Sequence, residues 1–136
     1  MAEKEFIAKV DELPNVISFI ESELEKFEFS FKIITHFKLV VEELFVNVAS
    51  YAYKDKNDGK CKISIDYNQE KKEVKLSMED NGIRFNPLEK KDPDISLSVE
   101  DRPIGGLGIL LVKKDMDNIE YKYEDNKNIL ILSKNV

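Results

Sequence analysis

The chain has 136 residues, 42% hydrophobic and 35% charged, enough for one domain spanning 1–136 with its own core. A formal net charge of −6 with no basic stripe excludes the usual nucleic-acid binder. A single cysteine, Cys61, excludes an internal disulfide or a cysteine-rich metal site and is expected to face the core. The opening MAEKEFIAKVDELP is charged throughout, with no signal-peptide pattern, and no run reaches membrane-span length. A cytoplasmic location, without a membrane or nucleic-acid partner, is expected.

Pro14 suits the first turn of a helix, and Val16, Ile17, Phe19, Ile20, Leu24 and Phe27 follow with helical spacing. A second helix is predicted from about Phe31 to Tyr53, with Phe31, Ile34, Phe37, Val41, Leu44 and Val48 on one face. Residues 54–59 (KDKNDG) read as a turn. Period-two alternation then sets Cys61, Ile63, Ile65 and Tyr67 against Lys62, Ser64 and Asp66, and resumes at Val74, Leu76 and Met78, which predicts a hairpin. From Asn86 to Ile104 the pattern dissolves around Pro87, Pro93 and Pro103, as in a functional loop. A third helix is predicted from near Gly106, then strands at Ile119-Tyr121-Tyr123 and Ile129 to Leu132, joined by Glu124-Asp125-Asn126-Lys127. This order predicts an α+β fold: a two-layer sandwich in which three helices cover one face of a mixed, mostly antiparallel sheet.

Several residues can carry chemistry. Gly105-Gly106-Leu107-Gly108 opens an apolar helical run, where backbone N–H groups and the helix dipole favour an anion, although such clusters are also plain turns. Glu43 and Asn47 are four apart and share one helical face. A carboxylate and an amide oxygen there suit activation of a hydroxyl and a hard cation, or, more simply, a solvated acid and an Asn bonded to nearby backbone. Asp80 ends an alternating strand before Asn81-Gly82, so it suits a ligand amino group or an ordinary turn. The two arginines, Arg84 and Arg102, lie in or beside the irregular loop. His36, the one histidine, and the tyrosines Tyr51, Tyr53, Tyr121 and Tyr123 read as packing or surface residues.

Taken in order, Glu43-Leu-Phe-Val-Asn47, Met78-Glu-Asp80-Asn-Gly82-Ile-Arg-Phe85-Asn-Pro87 and Arg102-Pro-Ile-Gly105-Gly106-Leu107-Gly108 resemble the three ATP-binding boxes of the Bergerat-fold ATPases. The short loop and the run from Leu111 to Asp117 are most similar to the anti-sigma-factor serine/threonine kinase branch. The resemblance implies ATP and Mg²⁺ as cofactors, with Asn47 on the metal and Glu43 as the general base. It implies that Asp80 reads the adenine amino group, that Gly82 gives the ring room, and that Phe85 and Arg102 belong to the nucleotide site. Gly105, Gly106, Leu107 and Gly108 would serve the phosphates, with residues 88–105 as a lid.

The implied partners are an anti-sigma antagonist-like protein and a sigma factor, with a homodimer as a further arrangement. Tyr51 stands where that branch often has a histidine, and Lys127-Asn128-Ile129 where a Gly-Thr pair commonly opens the last strand. A non-catalytic ATP-sensing module of the same fold is the alternative function. A histidine-kinase fragment is disfavoured, because this length leaves no room for a phospho-acceptor hairpin.

Overall fold

The computed structural model describes residues 1–53, 59–89 and 112–136. Strand β1 (Ala2–Ile7) leads through a 3-10 turn to helix α1 (Leu13–Glu25) and helix α2 (Phe31–Asn47), which ends in a single π turn over Val48–Ala52. Strands β2 (Lys60–Asn68) and β3 (Glu73–Asp80) follow, then a 3-10 turn at Pro87–Glu89, and strands β4 (Asn118–Glu124) and β5 (Lys127–Asn135).

The strands form one sheet in the order β1-β2-β3-β5-β4. Every pairing among the described residues is antiparallel, so the expectation of a mixed sheet is corrected to an antiparallel one there. Strand β5 therefore sits beside β3, with Asp80 opposite Asn128, and β4 is an edge. The β4–β5 connection is a two-residue turn in which Asp125 (φ 54°) and Asn126 (φ 62°) both take left-handed backbone, the combination that matches strand twist.

The predicted alternation is the one observed. Cys61, Ile63, Ile65, Val74, Leu76, Met78, Leu130 and Leu132 are buried under the helices, joined by Val16, Ile20 and Leu24 of α1 and by Phe37, Val40, Val41, Leu44 and Phe45 of α2. On the opposite face, Lys62, Glu79 and Lys127 form ion pairs and the Ser64 and Ser77 hydroxyls hydrogen-bond across β2 and β3. That asymmetry makes two layers. Residues 112–115 are helical, and Val112 and Met116 join the same core. The predicted entrance of a third helix near Gly106 lies outside the described residues.

Three details depart from the sequence-based expectation. Strand β1 escaped notice because Glu3, Lys4 and Glu5 are exposed and only Phe6 is buried; charges on an edge strand discourage pairing with another sheet. Phe31 starts α2 but is 84% exposed, so the buried stripe begins later, at Phe37. The α-helical hydrogen bonding of α2 ends at Asn47 rather than continuing to Tyr53, because the next turn widens to π geometry.

Ser30 caps the start of α2, its Oγ accepting from the Ile33 N–H at 3.3 Å. No helix among the described residues is long and apolar enough to cross a membrane.

Candidate functional site

The site is assembled where the end of α2 meets the end of β3. The π turn brings the Ala52 carbonyl to the Ile83 N–H at 2.8 Å. A Cβ on Gly82 would lie 2.3 Å from that same carbonyl oxygen and 2.5 Å from the Ala52 Cβ, so only glycine allows this approach. Tyr53, just beyond the turn, donates its hydroxyl to the Lys60 carbonyl at 2.5 Å and accepts from the Asn81 N–H at 2.8 Å. Helix end, hairpin and the loop after β3 are thereby tied together, and π turns of this kind are frequent at functional sites.

Between these elements lies a cleft of about 400 Å³. Its walls are apolar: Leu44, Val48 and Ala52 from the α2 side, Met78 and Leu130 from the sheet, and Pro87 from the loop. Phe85 and Tyr121 add ring surface, while Asn47, Asp80 and Asn128 are the polar side chains that converge on it. An apolar slot with a few placed polar groups suits a flat organic ligand with a hydrogen-bonding edge.

Asp80 is 6% exposed. Its Oδ1 accepts from the Gly82 N–H at 2.9 Å and from Asn128 Nδ2 at 2.9 Å, and Oδ2 has no hydrogen-bond partner among the described residues. Burial pushes the Asp80 carboxyl above the usual carboxylate range, while those two donors and the neighbouring Glu79 act respectively against and with that shift. Asp80 thus offers a poorly hydrated acceptor to a ligand donor.

Asn47 is 6% exposed, and its Nδ2 donates to Glu43 Oε1 over a long 3.5 Å. That contact uses the amide nitrogen and leaves Oδ1 for a hard cation, so the donor set fits Mg²⁺. Glu43, one turn away, is half-buried, whereas Glu42 is exposed. Phe85 lines the cleft and packs against Tyr51, ring centroids 5.9 Å apart.

The structure therefore brings Asn47, Asp80 and Phe85 to one cleft, with Glu43 and Gly82 beside it. Arg102, Gly105, Gly106, Leu107 and Gly108, and the lid expected over 88–105 from residue 90 onward, lie outside the described residues. Arg84 stands over the Tyr123 ring at 5.4 Å.

Sequence reasoning marked Asn128 only as standing at the Gly-Thr position and read Tyr121 as a packing residue; the structure puts both at the cleft. Asn128 is 5% exposed, on the inward face with Leu130 and Leu132, and Tyr121 donates its hydroxyl to Asn128 Oδ1 at 2.5 Å. An amide at an inward position of an apolar strand was the available signal, since a buried polar group requires partners.

The fold is a two-layer α+β sandwich with an apolar cleft on which a few polar side chains converge. The chain belongs to the histidine kinase-like ATPase domain family, whose family model matches residues 6–134. It is 29% identical over 107 residues to the serine-protein kinase RsbW of Listeria monocytogenes, an alignment covering 76% of this chain and 67% of that protein. It is 30% identical over 107 residues to RsbW of Bacillus cereus, covering 76% and 65%. Among solved structures, it is similar to the histidine kinase domain of the Erythrobacter litoralis EL346 blue-light activated histidine kinase, with TM-score 0.55 at 12% identity over 90% of this chain. The chain spans 60% of that solved domain and 41% of a second structure of the same kinase, TM-score 0.57 at 12% identity. These structural likenesses bear on the fold, and they agree with the sandwich expected from the sequence.

Proposed function

We propose that the cleft binds Mg·ATP and that the chain is an anti-sigma-factor-type protein serine/threonine kinase. It phosphorylates a small antagonist-like partner in the cytoplasm and so controls transcription through a sigma factor. The observation that carries this is the convergence of Asn47 from α2 and Asp80 from β3 on one apolar cleft. The serine-protein kinase relatives support the choice of reaction.

In this function Asp80 Oδ2 accepts the adenine amino group, and Phe85 flanks the ring. Gly82 keeps the loop close enough for the base to enter. Asn47 Oδ1 would hold Mg²⁺, which would supply positive charge to offset that of the phosphates. Glu43 takes the proton of the partner's serine hydroxyl as that oxygen attacks the γ-phosphorus. The bond from the γ-phosphorus to the β,γ-bridging oxygen breaks, and ADP leaves. Arg102, Gly105, Gly106, Leu107 and Gly108 are assigned to the phosphates on the resemblance of their box.

The test is incubation with ATP labelled at the γ-phosphate and a candidate antagonist domain, followed by mapping of the label. Label on a partner serine supports the kinase. ATP binding without transfer by the wild-type chain supports an ATP-sensing module instead.

A further inference from the structure

Strand β4 is an outer strand of the sheet: β5 holds one of its edges, and among the described residues no strand pairs with the other. The turn to β5 fixes which backbone groups face outward. Glu124 and Lys127 close that two-residue turn, so Glu124, Lys122 and Glu120 direct their N–H and C=O groups to β5, at every second position of the antiparallel pair. The far end keeps this phase. There the Asp117 N–H donates to the Ser133 carbonyl at 2.9 Å, and the Asn135 N–H donates to Asp117 Oδ2 at 2.6 Å. Ile119, Tyr121 and Tyr123 therefore turn their N–H and C=O groups to the open edge, and their side chains lie on the inner face opposite Leu132, Leu130 and Asn128. Asn118, Glu120, Lys122 and Glu124 lie on the outer face of the sheet.

An edge with unpaired backbone groups is ordinarily guarded by proline, by a bulge or by repeated like charge. Strand β4 (NIEYKYE) has no proline or glycine, and its outer-face charges alternate in sign along Glu120, Lys122 and Glu124. Strand β1, at the other end of the sheet, differs. Glu3 and Glu5 share a face there, so laying β1 antiparallel on its own copy about its centre sets carboxylate against carboxylate.

We propose that β4 is a self-complementary docking edge, at which two copies of this chain pair antiparallel about a two-fold axis through Tyr121 and join their five-stranded sheets into one. In that register Tyr121 of each copy faces Tyr121 of the other, and Ile119 faces Tyr123. The outward backbone groups of one copy thus meet those of the other, and each donor finds an acceptor. On the outer face, Glu120 of each copy stands opposite Lys122 of the other, and Asn118 stands opposite Glu124. Sliding the strands by two residues is the smallest step that keeps the faces matched, and it destroys this pattern. One direction sets Glu120 against Glu120; the other sets Lys122 against Lys122 and Glu120 against Glu124. The charges select one register and reject its neighbours.

Within one chain and among the described residues, Lys122 pairs with Glu124 at 3.9 Å and Glu120 has no ion pair, so a second copy offers both a closer partner. The Tyr121 side chain lines the cleft with its hydroxyl on Asn128, so the seam runs along the β4 side of the cleft. Pairing uses backbone groups and outer-face side chains, and it holds whether or not the cleft binds ATP.

The test is sedimentation of the whole chain over a wide range of concentration, for the wild type, Glu120→Lys, Lys122→Glu and the double variant. The wild type should pass from monomer to dimer as concentration rises. Each single reversal replaces both opposite-charge pairs at the seam with like-charge pairs, and should raise the dissociation constant by about tenfold or more. The double variant exchanges the signs and should dimerise as the wild type does. The two single variants, mixed, should form a heterodimer, because each then faces the charge it lacks. Both side chains reach solvent on the outer face, so these changes leave the core alone.

A wild type that stays monomeric overturns the proposal. So does a dimer indifferent to the single reversals, or a loss that neither the double variant nor mixing restores. Should a variant fail to fold, hydrogen exchange on the wild type decides. The amides of Ile119, Tyr121 and Tyr123 should exchange more slowly as concentration rises; equal exchange at low and high concentration overturns the proposal.

Discussion

Gly82 and Ala52 meet so closely that the Ile83 N–H, one residue on, bonds the Ala52 carbonyl at 2.8 Å while a Cβ on Gly82 would overlap the same oxygen. The π turn at the end of α2 supplies that carbonyl, and the loop after Asp80 supplies the glycine. Gly82→Ala should destabilise the fold by about 1–3 kcal/mol, the usual cost of overpacking, and weaken nucleotide binding, because the clash is with backbone rather than with a flexible side chain. Denaturant unfolding at wild-type stability would show that the two segments part easily.

Asp80→Asn should separate binding from stability. The carboxylate is buried and held above its ordinary range, chiefly by burial, so its ionised form opposes folding. A raised folded-state value means that the Asp80 contribution to stability is greatest below the unfolded value and declines as pH rises through the folded one. The amide removes that decline. The variant should therefore be more stable than wild type at neutral pH, by roughly 0.5–2 kcal/mol, with the gain vanishing in acid. ATP affinity should fall by on the order of 1.5–3 kcal/mol, the loss of a charge-assisted hydrogen bond. Calorimetry and thermal unfolding on one preparation check both halves.

Glu43→Gln should retain ATP binding and lose transfer to the partner serine by about 10²–10⁴-fold, the range for a lost general base. The amide is nearly isosteric and cannot take the proton. Transfer at the wild-type rate would move the base to another residue. Glu42 is the neighbouring carboxylate to test, although it is exposed.

Glu79 gives the opposite pH sign from Asp80, its strand neighbour. Burial raises its carboxyl, yet Lys127 at 3.1 Å and Lys62 at 3.3 Å together bring it below the ordinary range. Its stabilising contribution is present above the unfolded value and lost as pH falls through the folded one. Glu79→Gln should cost about 0.2–1 kcal/mol at neutral pH, as partly exposed pairs do, and nothing in strong acid or high salt. Unfolding curves at two pH values and two salt concentrations measure it.

The sequence by itself determined the layers and pointed to several side chains that meet at the cleft. Alternation at Cys61-Ile63-Ile65 and Val74-Leu76-Met78 named the buried face of the hairpin, because a strand with one face in the core must repeat every second residue. The four-residue spacing of Glu43 and Asn47, and the Asp80-Asn81-Gly82 turn, placed the proposed site groups on a helix face and a strand end, both local properties of the chain.

What only the tertiary structure decided lies in contacts between distant segments. Strand β1 carries a single buried side chain, Phe6, so its place beside β2 follows from pairing rather than from pattern. The π turn at Val48–Ala52 adds no signal to the hydrophobic period, since its purpose is to meet Ile83 more than thirty residues later. Asn128 was marked in the sequence only by its place at the Gly-Thr position; opposite Asp80 across the β3–β5 pair, its Nδ2 donates to the carboxylate. Periodicity reports which way a side chain faces, but the register of one strand against another sets what it faces, and that is fixed only when the sheet closes.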